Sequence, residues 1–438
     1  MFLVRGLVPE LKYVRPLKEC SIRRCAVLIT GALLASTALA QQRVPLTLAE
    51  AEDIASAGEP GHAALVARAS ALNEQAVAAG QLPDPTLRVG LANFPISGGG
   101  FSTEGMTQAQ LGVRQAFPRR RSRELGTERF EALATETDKN AEARSRDVLT
   151  ATRTAWLETY YWQRAQQIVT ESRPFFSDLA NVTRSMYAVG RKSQHDVLSA
   201  ELELSRLDDR LIEAGRAKAE AQAELSRWLG VDAYRPIAMK LPAWPQPPLL
   251  ENLQRGLDDH PRLGAADAGI SARQSGVDLA QESYKAGWAL DFGYGYRDGF
   301  LPNGEPRSDF VSLSVAVDLP FFRQNRQDRH LASALDERRA AVETKNEMHA
   351  QLRSQLDLQY ARWSDLTRRL TLYENQILAQ SASQAQAALS AYQSDAGDFS
   401  DVMRGYIDDL NTRLDYIRLE VERAQSYAVL ANLGGMSR

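Results

Sequence analysis

Five histidines, His62, His195, His260, His330 and His349, are the side chains best suited to hold a metal ion or move a proton near neutral pH. No two of them stand at i, i+3 or i+4, the spacing that sets two ligands on one helix face. His260 precedes Pro261 at an expected helix start and reads as a surface or capping residue; His195 falls in a turn and reads as solvated. The two cysteines, Cys20 and Cys25, both lie ahead of the expected mature start, which leaves no thiolate ligand and no disulfide. No phosphate-binding loop, G-x-S-x-G elbow or zinc spacing occurs. The reading is therefore no enzyme, with no catalytic, cofactor-binding or metal residues. Two carboxylates stand out instead. Asp196 and Asp401 hold corresponding places in two similar turns. Repeated in several copies of the chain they would form acidic rings that favour cations. An aspartate in a first helical turn also interacts with the helix dipole on its own account.

Those turns are the sharpest local motif. Tyr187-Ala188-Val189-Gly190 leads to Ser193-Gln194-His195-Asp196-Val197-Leu198. Its partner runs from Tyr392 to Gly397 and on through Asp398-Phe399-Ser400-Asp401-Val402-Met403. Glycine after a helix is expected to supply the left-handed cap, and Ser193 or Asp398 to cap the returning helix. Each turn closes an αα-hairpin.

The arms of the hairpins are long. Helix is expected from Arg119 to about Tyr187, broken only by Pro174, which should bend it. It resumes from Gln194 to about Leu229, and the pattern recurs over 323–392 and 399–433. At 1.5 Å per residue a ~70-residue helix is roughly 100 Å long. Spacings of three and four support coiled packing at Leu204, Leu207, Leu211 and Ala214, and again at Leu410, Leu414, Ile417, Val421, Ala424 and Ala428.

Ahead of each hairpin lie two segments of period two, the mark of β-strands. Trp288, Leu290, Phe292, Tyr294 and Tyr296 share one face against Ala289, Asp291, Gly293, Gly295 and Arg297. Val311, Leu313, Val315 and Val317 alternate with Ser312, Ser314 and Ala316. The earlier pair shows Leu87, Val89 and Leu91 on one strand and Ala109, Leu111, Val113 and Phe117 on the other. Each is about 10 residues, the span of a tilted transmembrane strand. Half-buried strands of a soluble sheet would alternate in the same way.

The chain reads as a duplication. An expected secretory signal over 1–40 carries Lys18, Arg23 and Arg24 before the apolar run Ala26 to Leu39, with a mature start near Gln41. Cys25 precedes that run, so no lipid anchor is expected. The first repeat spans 41–240, with strands about 86–95 and 106–117 and a hairpin about 119–229. The second spans 241–438, with strands about 288–298 and 308–319 and a hairpin about 321–433. Pro118 and Pro320 are each expected to start the long helix. A Pro-rich connector, Leu241 to Pro248, separates the halves. The 438 residues are 44% hydrophobic and 24% charged, and the net charge of -3 gives no basic field for nucleic acid. Four strands cannot close a barrel, whose smallest form has about eight, and open edges are excluded from lipid. A membrane form therefore needs two or three copies on strand count alone.

The signal, the two helix–strand–strand–hairpin repeats and the paired turns together resemble the TolC family of outer-membrane efflux ducts. Leu82-Pro83-Asp84-Pro85, Asn93-Phe94-Pro95, Met106-Thr107 and Gly112 to Pro118 are similar to its heavy-metal branch, the CusC- and CzcC-like ducts. The resemblance implies a mainly α homotrimer: a periplasmic α-barrel below a shared twelve-stranded β-barrel in outer-membrane lipid. It implies passive conduction of heavy-metal cations from an inner-membrane RND-type pump through a periplasmic adaptor, the membrane-fusion protein. The adaptor would dock on the tips at Tyr187, Gly190, Ser193, Asp196, Val197, Leu198, Tyr392, Gly397, Asp398, Phe399, Asp401 and Val402. A multidrug or type I secretion duct of the same fold is the alternative cargo reading. A periplasmic coiled-coil adaptor and a soluble coiled-coil protein are the alternatives of other classes.

Overall fold

The computed structural model describes residues 44–436; the expected signal, both cysteines and the mature start near Gln41 lie outside them. Two short helices, α1 (Leu48–Ala57) and α2 (Pro60–Ala79), lead to strands β1 (Thr86–Ala92) and β2 (Gln108–Phe117). Helices α3 (Ser122–Ala188) and α4 (Gln194–Leu229) form the first hairpin. The order then repeats: α5 (Leu250–Gly256), α6 (Pro261–Glu282), β3 (Trp288–Tyr296), β4 (Phe310–Val317), α7 (Gln327–Leu372), α8 (Leu378–Gln393) and α9 (Phe399–Leu433). A π-helical turn, Tyr373–Ile377, joins α7 to α8 without a break. The run from 327 to 393 is thus as long as the 67 residues of α3. The expected mainly α fold with duplicated hairpins and four strands is the observed one.

Local chemistry sets the ends of these elements. Thr47 Oγ1 accepts from the Glu50 N–H at 3.2 Å and starts α1. Pro60 and Pro261 stand in the first turns of α2 and α6, where a missing N–H costs nothing. Pro118 and Pro320 behave differently from expectation. Helix begins only at Ser122 and Gln327. A proline holds the residue before it extended, so each ends the strand side of the junction. The chain then makes a turn, Ser122 N–H to Arg119 O in the first repeat and Asp328 N–H to Arg323 O in the second, before the helix starts.

Helix α3 is the spine of the described chain, packing against α2, α4, α6 and α9. Leu207, Ala214, Leu410, Ile417, Val421, Ala424 and Ala428 are buried along the seams, with Leu204, Leu211 and Leu414 partly buried against them. Burying each leucine or isoleucine side chain contributes about 1.5–3 kcal/mol. Pro174 is carried inside α3 without ending it. Trp156 is fully buried and donates from Nε1 to the Leu46 carbonyl at 3.1 Å. Leu46 also bridges Ile237 in parallel, which pins the start of the first repeat to its end.

The four strands form one antiparallel sheet in the order β1-β2-β3-β4, so both repeats contribute to it and β1 and β4 are its open edges. No described helix is long and apolar enough to cross a membrane.

Candidate functional site

The two hairpin turns lie side by side. In the first, Gly190 adopts φ +76°, its N–H reaches Tyr187 O at 2.9 Å, and the Arg191 N–H reaches Met186 O at 2.9 Å. This pair of bonds satisfies the last carbonyls of α3 as a left-handed C-cap should. The second turn makes the same pair, Asp395 N–H to Tyr392 O and Ala396 N–H to Ala391 O. Its left-handed residue is Asp395, at φ +57°, and not Gly397. Aspartate tolerates that region better than most residues. Gly397 sits in a tight spot: a Cβ there would lie 3.0 Å from the Ala391 Cβ.

The returning helices also differ. Ser193 and Asp196 form a reciprocal capping box, Asp196 N–H to Ser193 Oγ at 3.2 Å and Ser193 N–H to Asp196 Oδ2 at 3.3 Å. Asp398 has the extended backbone of a cap but makes no side-chain cap bond. Asp401 lies 3.8 Å from Arg404. The two aspartates foreseen as a pair thus have different work, Asp196 as a cap and Asp401 on an open flank.

Of the expected docking residues, Val197, Tyr392, Phe399 and Val402 are buried. Tyr392 meets Phe399 edge to face at 5.7 Å, and its hydroxyl lies 3.8 Å from Met186 Sδ. These side chains hold the turns together. Tyr187 and Leu198 are exposed, with Val189 beside them. A cleft of about 710 Å³ opens between the turns, lined by Arg191, Lys192, His195, Asp196, Asp398 and Arg404 among others.

Lys192 joins the turns. Its Nζ sits 4.3 Å from the Tyr392 ring centroid and 3.4 Å from Asp395 Oδ1, with the side chain only 17% exposed. Neither Lys192 nor Asp395 is among the residues the turn motifs single out. The usable signal was Asp395 itself, a left-handed-tolerant residue directly after the expected helix end. A cation over a tyrosine is worth about 0.5–1 kcal/mol and a surface ion pair about as much. Lys192→Met should therefore speed amide hydrogen exchange at residues 186–196 and 391–401 about fivefold while leaving 150–170 unchanged. Equal exchange in both proteins would remove Lys192 as a latch.

The sheet is the second candidate. Cross-strand register groups its residues into two faces. One carries the rows Phe117–Trp288–Val317, Leu87–Val113–Phe292–Leu313 and Val89–Leu111–Tyr294–Val311. These apolar side chains are mostly exposed in the single chain. Trp288 stacks on Phe117 at 4.1 Å at one end, and Tyr296 on Phe101 at 6.2 Å at the other. Phe321 and Phe322 stand exposed just beyond Pro320. The opposite face carries Thr86–Arg114–Asp291–Ser314, Arg88–Gly112–Gly293–Ser312 and Gly90–Gln110–Gly295–Phe310. An apolar face bounded by aromatics and an opposite face that is mostly polar or glycine is the composition of a transmembrane barrel wall. An isolated sheet exposing such a face in water would be an association surface.

Among the described residues no three histidine, cysteine or carboxylate side chains come together to hold a metal ion. His260 is buried, and its Nδ1 accepts from the Arg262 N–H at 3.2 Å, which caps α6. The expected capping role is the observed one; the surface position is not.

The chain has the fold of solved outer-membrane channels. It superposes on the outer membrane protein VceC of Vibrio cholerae with a TM-score of 0.74, at 16% identity, over 89% of this chain and 96% of that one. For CusC, solved in a study of its transmembrane channel formation, the TM-score is 0.71 at 14% identity, covering 88% and 92%. For the open MtrE outer membrane channel of Neisseria gonorrhoeae it is 0.70 at 16% identity, covering 89% and 88%. Protein CyaE of Bordetella pertussis is 26% identical over 297 residues, 65% of this chain and 61% of CyaE, so the match spans less than two thirds of that relative. No family model matches the chain.

Proposed function

We propose that this chain is the outer-membrane exit duct of a tripartite efflux system. One observation carries the reading: a sheet with an exposed apolar face and two open edges stands at the head of helical hairpins roughly 100 Å long. Open edges are excluded from lipid, so copies of the chain must join β4 of one to β1 of the next. Three copies close a twelve-stranded barrel, and the fold shared with VceC and MtrE supports that number. The helices then form a tunnel in the periplasm. The exposed tip residues Tyr187, Gly190, Ser193, Leu198 and Asp398, with Val189 and the half-buried Gly397, form the surface for a periplasmic adaptor, and an inner-membrane RND-type pump supplies the energy. A coiled-coil adaptor is disfavoured, because such a protein has no use for a lipid-compatible sheet.

Conduction is passive in this reading. Heavy-metal cations are the cargo implied by the sequence resemblance. CusC stands beside VceC and MtrE at a similar TM-score and supports the duct without singling out its cargo.

The full-length protein is expected to stay with outer membranes after a carbonate wash, to run as a trimer on mild cross-linking, and to conduct ions in planar bilayers. Release by carbonate as a monomer would overturn the duct. A strain lacking the chain, tested against copper, silver, cobalt, zinc, cadmium and a drug panel, separates the cargo readings. Unchanged metal tolerance with raised drug sensitivity would remove the metal assignment and keep the duct.

A further inference from the structure

The polar face of the sheet carries an imbalance of charge. Arg114 lies directly opposite Asp291 across β2 and β3, and Arg88 stands one row away on β1. Arg88 Nη1 is 3.6 Å from Asp291 Oδ1, and Arg114 Nη1 is 3.6 Å from Asp291 Oδ2. One carboxylate therefore serves two guanidinium groups at ion-pair distance. Within the four strands these are the charged residues of that face, so each copy leaves it one positive charge in excess.

The surroundings make the excess count. Gly112 and Gly293 occupy the positions across from Arg88 on the same face, and Gly90 the next one along β1, while Gln110 and Phe310 stand one row further on. Arg88 and Asp291 line a hollow of about 570 Å³, which Gln110 and Phe310 bound further along the strands. Arg88 is 61% exposed into solvent. The other face of the same strands is apolar. A charged wall backed by low dielectric focuses its field into the aqueous space it lines.

We infer that Arg88, Arg114 and Asp291 form a net-positive collar inside the shared barrel, which favours anionic solutes over free metal cations at the exit. The inference rests on the duct reading, because the polar face becomes a lumen only when copies close the barrel. Arginine rings select anions in other pores by the same physics. Asp291 is the restraining element: it shields both arginines and keeps the collar from holding an anion too tightly to release. The collar acts against the cation-favouring acidic ring expected at Asp196 and Asp401. Asp196 spends its carboxylate on the capping box, whereas both collar arginines share a single partner.

The test is the reversal potential of the purified full-length protein in planar bilayers under a potassium chloride gradient. The double variant Arg88→Gln/Arg114→Gln should lower the chloride-to-potassium permeability ratio at least about twofold, and Asp291→Asn should raise it. Arg88→Lys/Arg114→Lys keeps the charge and should keep the wild-type ratio. Channels whose selectivity is the same in wild type, the glutamine pair and Asp291→Asn would overturn the collar and leave the duct standing. Failure of the wild-type chain to conduct at all would overturn the duct, and the collar with it. Because Asp291→Asn moves the charge the opposite way, a glutamine pair that fails to assemble still leaves the inference exposed to refutation.

Discussion

Val113→Arg should remove the protein from the outer membrane, whereas Gln110→Arg, three residues away, should leave its abundance near wild type. Val113 sits mid-strand in the row Leu87–Val113–Phe292–Leu313, on the apolar face. Gln110 lies on the opposite face between Gly90 and Gly295. An arginine facing lipid near the midplane costs about 2–4 kcal/mol, and a closed trimer would bear that cost three times. An arginine facing the lumen stays in water. The readout is the carbonate-resistant trimer in isolated outer membranes. Equal abundance of the two variants would mean that neither face meets lipid, and the sheet would belong to a soluble assembly.

The second large effect concerns acid. His260 is 3% exposed, and its pKa is lowered to about 4. Burial is the main cause, followed by the charges of Arg146 and Arg262. Because Nδ1 accepts the Arg262 N–H, the neutral ring keeps its proton on Nε2. The unfolded chain takes up a second proton as pH falls through about 6.5, while the folded chain resists until about 4. The stability contributed by His260 is therefore full above pH 6.5 and lost progressively from 6.5 to 4. The total loss is about 3 kcal/mol. Glu59 acts lower down. Arg144, bonded to it at 2.6 Å, is the main reason its pKa falls to about 2, so its contribution is full above 4.5 and lost towards 2. Denaturant midpoints of the detergent-solubilised protein at pH 7.5, 6.5, 5.5 and 4.5 should decline below 6.5. His260→Asn keeps an N-cap and cannot titrate, so it should flatten that decline. A wild-type midpoint constant from 7.5 to 4.5 would contradict the assignment.

Much of this architecture is written in periodicity. The alternation in Trp288 to Tyr296 gave the strand, its two faces and the need for partner copies, because period two leaves little freedom once one face is apolar. The seams at Leu207 and Leu410 were equally plain. What escaped the sequence depends on contacts distant along the chain. Tyr392 looks like a tip residue and is one, but Met186 and Phe399 bury it. Gly397 looks like a cap and instead packs closely on Ala391, because Asp395 takes the left-handed position two residues earlier. His260 sits at a helix start where a solvent-facing ring is normal, and α3 and the end of α9 close over it. The late starts of α3 and α7 reflect two constraints at Pro118 and Pro320: a strand to finish and a turn to make. The charge excess at Arg88 and Arg114 needed the strand order, since β1 and β3 are distant in sequence and meet only through β2.

Each long arm carries one fault in its hydrogen-bond ladder, and the two faults fall at nearly the same height. Pro174 stands 14 residues short of the end of α3, and the π turn ends at Ile377, 16 residues short of the end of α8. At 1.5 Å per residue both lie about 21–24 Å from the tips. A proline removes one ladder bond, and a π turn widens one, so each arm is locally softer to bending there. The arms therefore behave as stiff rods with a compliant last quarter. Lateral force applied at the tips would be absorbed within that quarter, leaving the sheet at the far end mechanically undisturbed.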